Sequence, residues 1–257
     1  MKSYVCVLAT DNFLEGVLVL NHNLKVLNSK YPLLCLVSDT ISDKSKRILD
    51  YFKIQYKVVS TIEYHSNNYY TRWNHTFDKF NIFNLTEYEK IVYLDSDFII
   101  LKNLDHLFKI DKFTMNSDLP YNSDHYNSSI IITKPNINDY NGLLSLLKEY
   151  DKNKRDAIGD QNVINEYFKN INSLDSSYNV MRAISYNKEM QYDKYLDRNI
   201  NKHLVDIMTK NVKDPIVIHY IGYIKPFMIN GLYLDEYSTL YQEYLKAVRE
   251  ILNTINE

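Results

Sequence analysis

Asp95-Ser96-Asp97 directly follows the apolar run Ile91-Val92-Tyr93-Leu94. Residues two apart on an extended segment point the same way, so the two carboxylates are expected to converge on one cation. The apolar run reads as a buried strand, and carboxylates just past its carboxyl end sit where open α/β sheets bind ligands. A divalent cation held there would clamp a diphosphate. The chain has only five glycines, Gly16, Gly142, Gly159, Gly222 and Gly231. None are spaced to form a Walker loop or a dinucleotide-binding glycine turn. Two common nucleotide-binding solutions are thereby excluded, and metal-assisted diphosphate binding is left.

The elements that must position these carboxylates are legible in the first hundred residues. Strands are expected over residues 4–10, 33–38 and 54–60. Between them, residues 13–27 carry Phe13, Val17, Leu20, Leu24 and Leu27 at helical spacing, and Ser42 can cap a helix reaching residue 52. Residues 61–73 are polar and read as a loop, and residues 76–85 as a helix leading into the Ile91 strand. Short strands alternating with helices imply an α/β fold with a mostly parallel sheet covered on both faces. Further on, residues 128–133 and 215–220 read as strands, residues 140–150, 161–168 and 236–253 as helices, and residues 178–210 as irregular. With no linker or internal repeat, one domain over residues 1–257 is expected.

Hydrophobic content of 45% and charged content of 24% are ordinary for a globular chain. A formal net charge of −2 gives no basic field for a nucleic-acid backbone. Cys6 and Cys35 lie in apolar runs and read as buried thiols of a reducing compartment. The apolar run at the N-terminus is too short for a signal peptide, and no stretch reaches the roughly 18–20 apolar residues of a membrane span. A cytoplasmic location, or a host cytoplasm for a viral chain, is expected, with no membrane partner.

Four segments resemble the glycogenin-type glycosyltransferases, the retaining sugar-nucleotide transferases of family eight. Val7-Leu8-Ala9-Thr10-Asp11-Asn12, with Gly16 to Leu20, is similar to the family's nucleotide-contacting strand and helix. Lys79 stands sixteen residues before Asp95, where the family has a lysine that reaches the donor. Asp95-Ser96-Asp97 matches the metal-binding Asp-x-Asp, and His219-Tyr220-Ile221-Gly222-Tyr223-Ile224-Lys225-Pro226-Phe227 resembles the family's histidine–glycine–lysine–proline segment. Two further segments depart in part. Ser129 replaces a glycine two residues after Asn127. Asp118, before Pro120, lies one position early, and Ala157 stands where an acidic residue precedes Asp160-Gln161, with Asp156 one place off. These departures fall in the sugar pocket, so a donor other than UDP-glucose is open.

The resemblance implies a single-domain GT-A fold, Rossmann-like, with a mixed, mostly parallel central sheet. About residues 1–100 would bind nucleotide, and about 101–257 would serve metal, sugar and acceptor. It implies metal ligation by Asp95, Asp97 and His219; this mixed carboxylate–imidazole set suits Mn2+ better than Mg2+, the alternative. It places Leu8, Thr10, Ser96, Asp118, Asn127, Gly222 and Lys225 on the UDP-sugar, and Lys79, Asp160 and Gln161 at the catalytic centre. Each has a plainer reading: a core histidine for His219, surface lysines for Lys225 and Lys79, a helix cap for Asp160, turn chemistry for Asn127. Trp73 reads as a loop anchor or a stacking surface. The expected activity is retaining transfer of a hexose from a UDP-sugar to a hydroxyl of a saccharide, glycan or protein. UDP-glucose is the first donor, then UDP-galactose or UDP-N-acetylglucosamine. An inactive sugar-nucleotide-binding scaffold and a metal-dependent nucleotidyltransferase are the alternatives. A homodimer is expected from the resemblance, and Tyr186 and Tyr192 are candidate self-glycosylation acceptors.

Overall fold

The computed structural model describes residues 1–64, 71–118, 125–153, 158–183, 212, 214–222, 224–231 and 236–255, with backbone alone at 71–74 and 183. Trp73 as a side chain, and Pro120, Asp156, Ala157, Tyr186 and Tyr192, lie outside the described residues.

Strand β1 (Lys2–Leu8) shows why a sheet forms here. Its side chains alternate between two apolar layers: Tyr4, Cys6 and Leu8 join one and Val5 the other. β2 (Leu33–Ser38), β3 (Gln55–Val59) and β4 (Lys90–Leu94) lie beside it. β6 (Thr114–Ser117), β7 (Tyr126–Thr133) and β8 (Asn172–Leu174) extend the sheet. The spatial order is β3-β2-β1-β4-β7-β6-β8. The β1–β2, β1–β4, β2–β3 and β6–β8 pairs are parallel, while β7 runs antiparallel to both neighbours. The expected α/β architecture with a mixed, mostly parallel sheet is therefore observed. Cys6 and Cys35 face each other across β1 and β2 as buried free thiols.

One face carries α1 (Leu14–Val26), the closing helix α5 (Glu236–Ile255), and a small second sheet. That sheet, ordered β5-β10-β9, is built from β5 (Phe98–Ile100), β9 (Val180–Ala183) and β10 (Val217–Ile221). The other face is covered by a 3-10 helix over Thr71–Asn84, by α3 (Ile137–Lys152) and by α4 (Asp160–Tyr167). α2 (Asp43–Tyr51) starts at Ser42, whose side chain accepts from the Ser45 amide, as the sequence predicted. Among the described residues no helix is long and apolar enough to cross a membrane.

Three expectations are corrected. Asp95-Ser96-Asp97 forms a turn between β4 and β5, not the end of an extended strand. Residues 71–73, read as loop, already belong to the 3-10 helix. The stretch from 178 begins with the end of a 3-10 turn and then β9, rather than irregular chain; residues 184–210 lie outside the description. β5, β6, β8 and β9 run for only three or four residues, too short for an alternation to declare itself.

Gly16 in α1 shows how tightly the turn is seated. A Cβ there would stand 2.6 Å from the Ser96 carbonyl oxygen and 2.8 Å from Phe227. Glycine to alanine in a helix ordinarily stabilises by about 1 kcal/mol. Here the clash is with backbone, so Gly16→Ala is expected to destabilise by about 1–3 kcal/mol, the usual cost of overpacking. Urea unfolding measures it, and a neutral or stabilising result would show that the turn has slack.

Candidate active site

Strand pairing brings together residues far apart in the chain. The Asp95 amide donates to the Ser129 carbonyl at 3.0 Å, tying the end of β4 to β7. The turn then lets Asp97 join β5, and the Tyr220 amide donates to the Asp97 carbonyl at 3.1 Å. β5 and β10 run antiparallel with Phe98 opposite His219. The two rings meet edge to face at 5.0 Å, which holds the imidazole upright. As a result one ligand atom each from Asp95, Asp97 and His219 lies within 4.8 Å of the others.

The electrostatics of this trio leave a gap suited to a cation. Burial pushes His219 down to about 4, against an opposing pull from Asp97, so the ring is neutral at physiological pH. Its Nε2 lies 3.5 Å from Asp97 Oδ1, and that buried oxygen has no hydrogen-bond partner among the described residues. Burial alone would raise Asp97, but Lys225, then His219, outweigh it and its pKa is lowered. Burial raises Asp95 to about 6; Lys79 opposes this and Asp97 adds to it. A buried carboxylate oxygen without a donor, facing a neutral imidazole, fits a divalent metal bound by mixed oxygen and nitrogen ligands.

Two lysines surround the trio. Lys225 donates to Asp97 Oδ2 at 2.5 Å and to the Tyr220 carbonyl at 2.7 Å. Gly222, at φ +90°, makes the turn that returns the chain from β10 to this lysine, a conformation other residues rarely adopt. Lys79 is 7% exposed, so it is no surface lysine. Its ammonium lies 2.7 Å from Asp160 and 3.3 Å from Asp95, donates to Ser128, and sits over the Tyr93 ring. Burial works against its charge, but Asp160 and Asp95 together outweigh it and raise its pKa. Its neighbour Asp78 anchors the 3-10 helix, accepting from the Ile62 amide at 2.7 Å and from the Ser38 hydroxyl.

Asp160 is the first residue of α4, whose N-cap is Gly159. Its carboxylate turns away from the helix end to Lys79 and to the Ser128 hydroxyl at 2.6 Å. Asp118 accepts from Asn127 at 3.2 Å and from Gln161 Nε2 at 3.0 Å. These polar groups border a cavity of about 740 Å3, within the usual range for small-molecule sites. Thr10, Lys79, Asp95, Ser96, Asp97, Asn127, Asp160, Gln161, His219, Gly222 and Lys225 all line it. Asp118 stands behind Asn127 and Gln161. Leu8 is buried in the core, and Val7, Ala9 and Thr10 form the wall at that strand end. Ser129 continues β7 without the positive φ that would call for a glycine.

Sequence reasoning missed Tyr93, His75, Thr76, Ser128 and Asn179. Tyr93 donates to Asp95 at 2.5 Å, and Thr76 accepts from the Asp160 amide at 3.3 Å. Asn179 Oδ1 lies 2.9 Å from His219 Nδ1. Tyr93 was visible only as one apolar residue of a strand, and Asn179 lies in a stretch without periodicity.

Residues 4–228 match the family model described as Glycosyl transferase family 8, and the chain belongs to that family. An inositol phosphorylceramide glucuronosyltransferase of Arabidopsis thaliana is 33% identical over 166 residues, 65% of this chain and 30% of the relative. A glycogenin of Komagataella phaffii is 29% identical over 251 residues, covering 92% of this chain and 60% of its own. The chain thus spans less than two thirds of either relative. The galactosyltransferase LgtC, solved with donor and acceptor sugar analogues, superposes with a TM-score of 0.68 at 16% identity, covering 96% of both chains. That likeness shows the fold, the GT-A type expected from the sequence.

The raised pKa of Asp95 gives metal binding a pH signature. At pH 5.5 a carboxyl with a pKa of about 6 is mostly protonated, whereas His219, at about 4, is already neutral. Binding of a divalent cation to this trio, with Mn2+ as the probe, is expected to release roughly three quarters of a proton from Asp95 at pH 5.5 and almost none at pH 8. Affinity therefore rises with pH through 6 and then levels off. Titration calorimetry in buffers of different ionisation heat measures the proton count; more than one proton at pH 5.5 would point to a charged His219.

Proposed function

We propose that the chain transfers a hexosyl group from a UDP-sugar to a hydroxyl acceptor with retention of anomeric configuration, assisted by Mn2+ held by Asp95, Asp97 and His219. The observation that carries this reading is the unpartnered, buried Asp97 Oδ1 beside His219 Nε2, in the same cavity as Lys225, Lys79 and Asp160. A bound divalent cation would supply Lewis-acid stabilisation of the departing diphosphate.

The chain's own groups do the rest. In the reaction the bond from the anomeric carbon to the β-phosphate oxygen breaks, and its electron pair leaves with UDP. The acceptor oxygen bonds the same carbon, and its proton passes to the phosphate. Lys225 has three donors, two of them held by Asp97 and Tyr220, and the third can meet the diphosphate charge as it develops. Asp160 presents a carboxylate to sugar hydroxyls, Gln161 and Asn127 supply amides of both polarities, and Asp118 behind them fixes both amides. Lys79 already neutralises Asp160 at 2.7 Å, and the Ser128 hydroxyl occupies the same oxygen. An Asp160 so engaged is a poor nucleophile, which supports departure and attack on one face of the sugar over a covalent sugar–enzyme bond.

UDP-glucose is the first donor we propose, with UDP-galactose and UDP-N-acetylglucosamine next. The relatives' names add UDP-glucuronate to the set worth assaying. With Mn2+, UDP release from one UDP-sugar is expected to exceed the others. It should fall at least about 100-fold with EDTA or in Asp97→Asn, the scale seen when a group stabilising the leaving charge is removed. Release that ignores both treatments would overturn the metal assignment. UDP binding without release from any sugar, with saccharide acceptors present, would favour a sugar-nucleotide-binding scaffold.

A further inference from the structure

Asn179 lies behind the imidazole of His219, 4% exposed, and does not line the cavity. Its Oδ1 is 2.9 Å from His219 Nδ1 and 3.4 Å from the Ser129 hydroxyl, while its Nδ2 donates to the Ser117 carbonyl at 3.4 Å. A backbone carbonyl only accepts, so the Ser117 contact places Nδ2 on that side and turns Oδ1 toward the ring. An amide oxygen also only accepts, so the ring hydrogen must sit on Nδ1. The lone pair is then on Nε2, directed at Asp97 Oδ1 3.5 Å away. This accounts for a buried carboxylate oxygen with no donor.

The other tautomer would close the site. With its hydrogen on Nε2, His219 would donate to Asp97 Oδ1, satisfy that oxygen and leave no lone pair for a cation. We propose that Asn179 is the positioning residue that holds His219 as the Nδ1–H tautomer and so keeps Nε2 available as a metal ligand. Ser129 braces it. The serine hydroxyl accepts from Asn116 Nδ2 at 2.9 Å and reaches Asn179 Oδ1, and this serine stands where the resembling family usually has a glycine. The inference rests on the proposed metal site, which is why its test begins without metal.

Long-range proton–nitrogen spectra of the metal-free chain labelled with 15N-histidine, with His219 assigned by its loss in His219→Gln, report the tautomer directly. The Nδ1–H form is expected in wild type and the Nε2–H form in Asn179→Leu. In Mn2+ titrations with UDP, followed by electron paramagnetic resonance, Asn179→Leu should bind about 10–100-fold more weakly, as when the partner of a ligating histidine is lost. A merely structural asparagine would change neither the tautomer nor the affinity of a folded variant. An Nε2–H tautomer in wild type, or wild-type Mn2+ affinity in Asn179→Leu, would overturn the proposal. The wild-type spectrum decides the matter even if the variant does not fold. Wild type that binds no Mn2+ would sink the metal reading instead, while the spectrum still judges the hold of Asn179 on the ring.

Discussion

Four carboxylates and two ammonium groups are gathered at one end of the sheet, and all six residues except Asp95 are fewer than one-tenth exposed. Among the described residues Asp95 and Asp160 pair with Lys79 and Asp97 with Lys225, Asp118 is held by the neutral amides of Asn127 and Gln161, and His219 is neutral beside them. Removing an ion from water costs several kcal/mol unless it is paired and hydrogen-bonded. The deficit is about two positive charges, and the site shows the strain in three ways. Asp95 holds a proton up to about pH 6, Asp118 is raised by burial, and one oxygen of Asp97 goes without a donor. A divalent cation would carry the charge that is missing.

The two lysines divide the work between the ends of the site. Lys225 belongs to the side proposed for the diphosphate: it is bound to Asp97, and the Gly222 turn returns it from β10. Lys79 joins the Asp95–Asp97–His219 trio to the side proposed for the sugar, because its ammonium touches Asp95 and Asp160 together. Its position depends on Asp78, which fixes the 3-10 helix to the Ile62 amide and to Ser38 at the end of β2. A change at Asp78 would therefore be felt in the cavity beside Lys79 without touching it.

Much of this arrangement was legible in the chain. The β2 strand falls at residues 33–38 as read, and Ser42 caps α2 as its hydroxyl and position foretold. Long apolar runs are legible because both sheet faces are buried. The second sheet was not, since β5 and β9 are short and their partner β10 is distant in sequence. The same reason hid Asn179: a residue behind His219 has no spacing of its own, and the β9–β10 pairing brings its neighbourhood to that histidine. Asp160 was ambiguous between cap and pocket residue. The ambiguity ends once Gly159 takes the cap and the carboxylate is seen on Lys79.

The paired aspartates do converge, but through a turn and not through the strand alternation expected from the sequence. On an extended strand, residues two apart sit about 6.5–7 Å from each other along the chain. Two oxygens on one divalent ion, at about 2.0–2.6 Å each, can be no more than about 4–5 Å apart. Alternation gives a shared direction but not that closeness. The turn at Ser96 supplies it, bringing one ligand atom from each aspartate and from His219 within 4.8 Å. The turn in turn requires Gly16, where any side chain would meet the Ser96 carbonyl. The closeness of the trio is thus built by a helix glycine eighty residues upstream as much as by the carboxylates themselves.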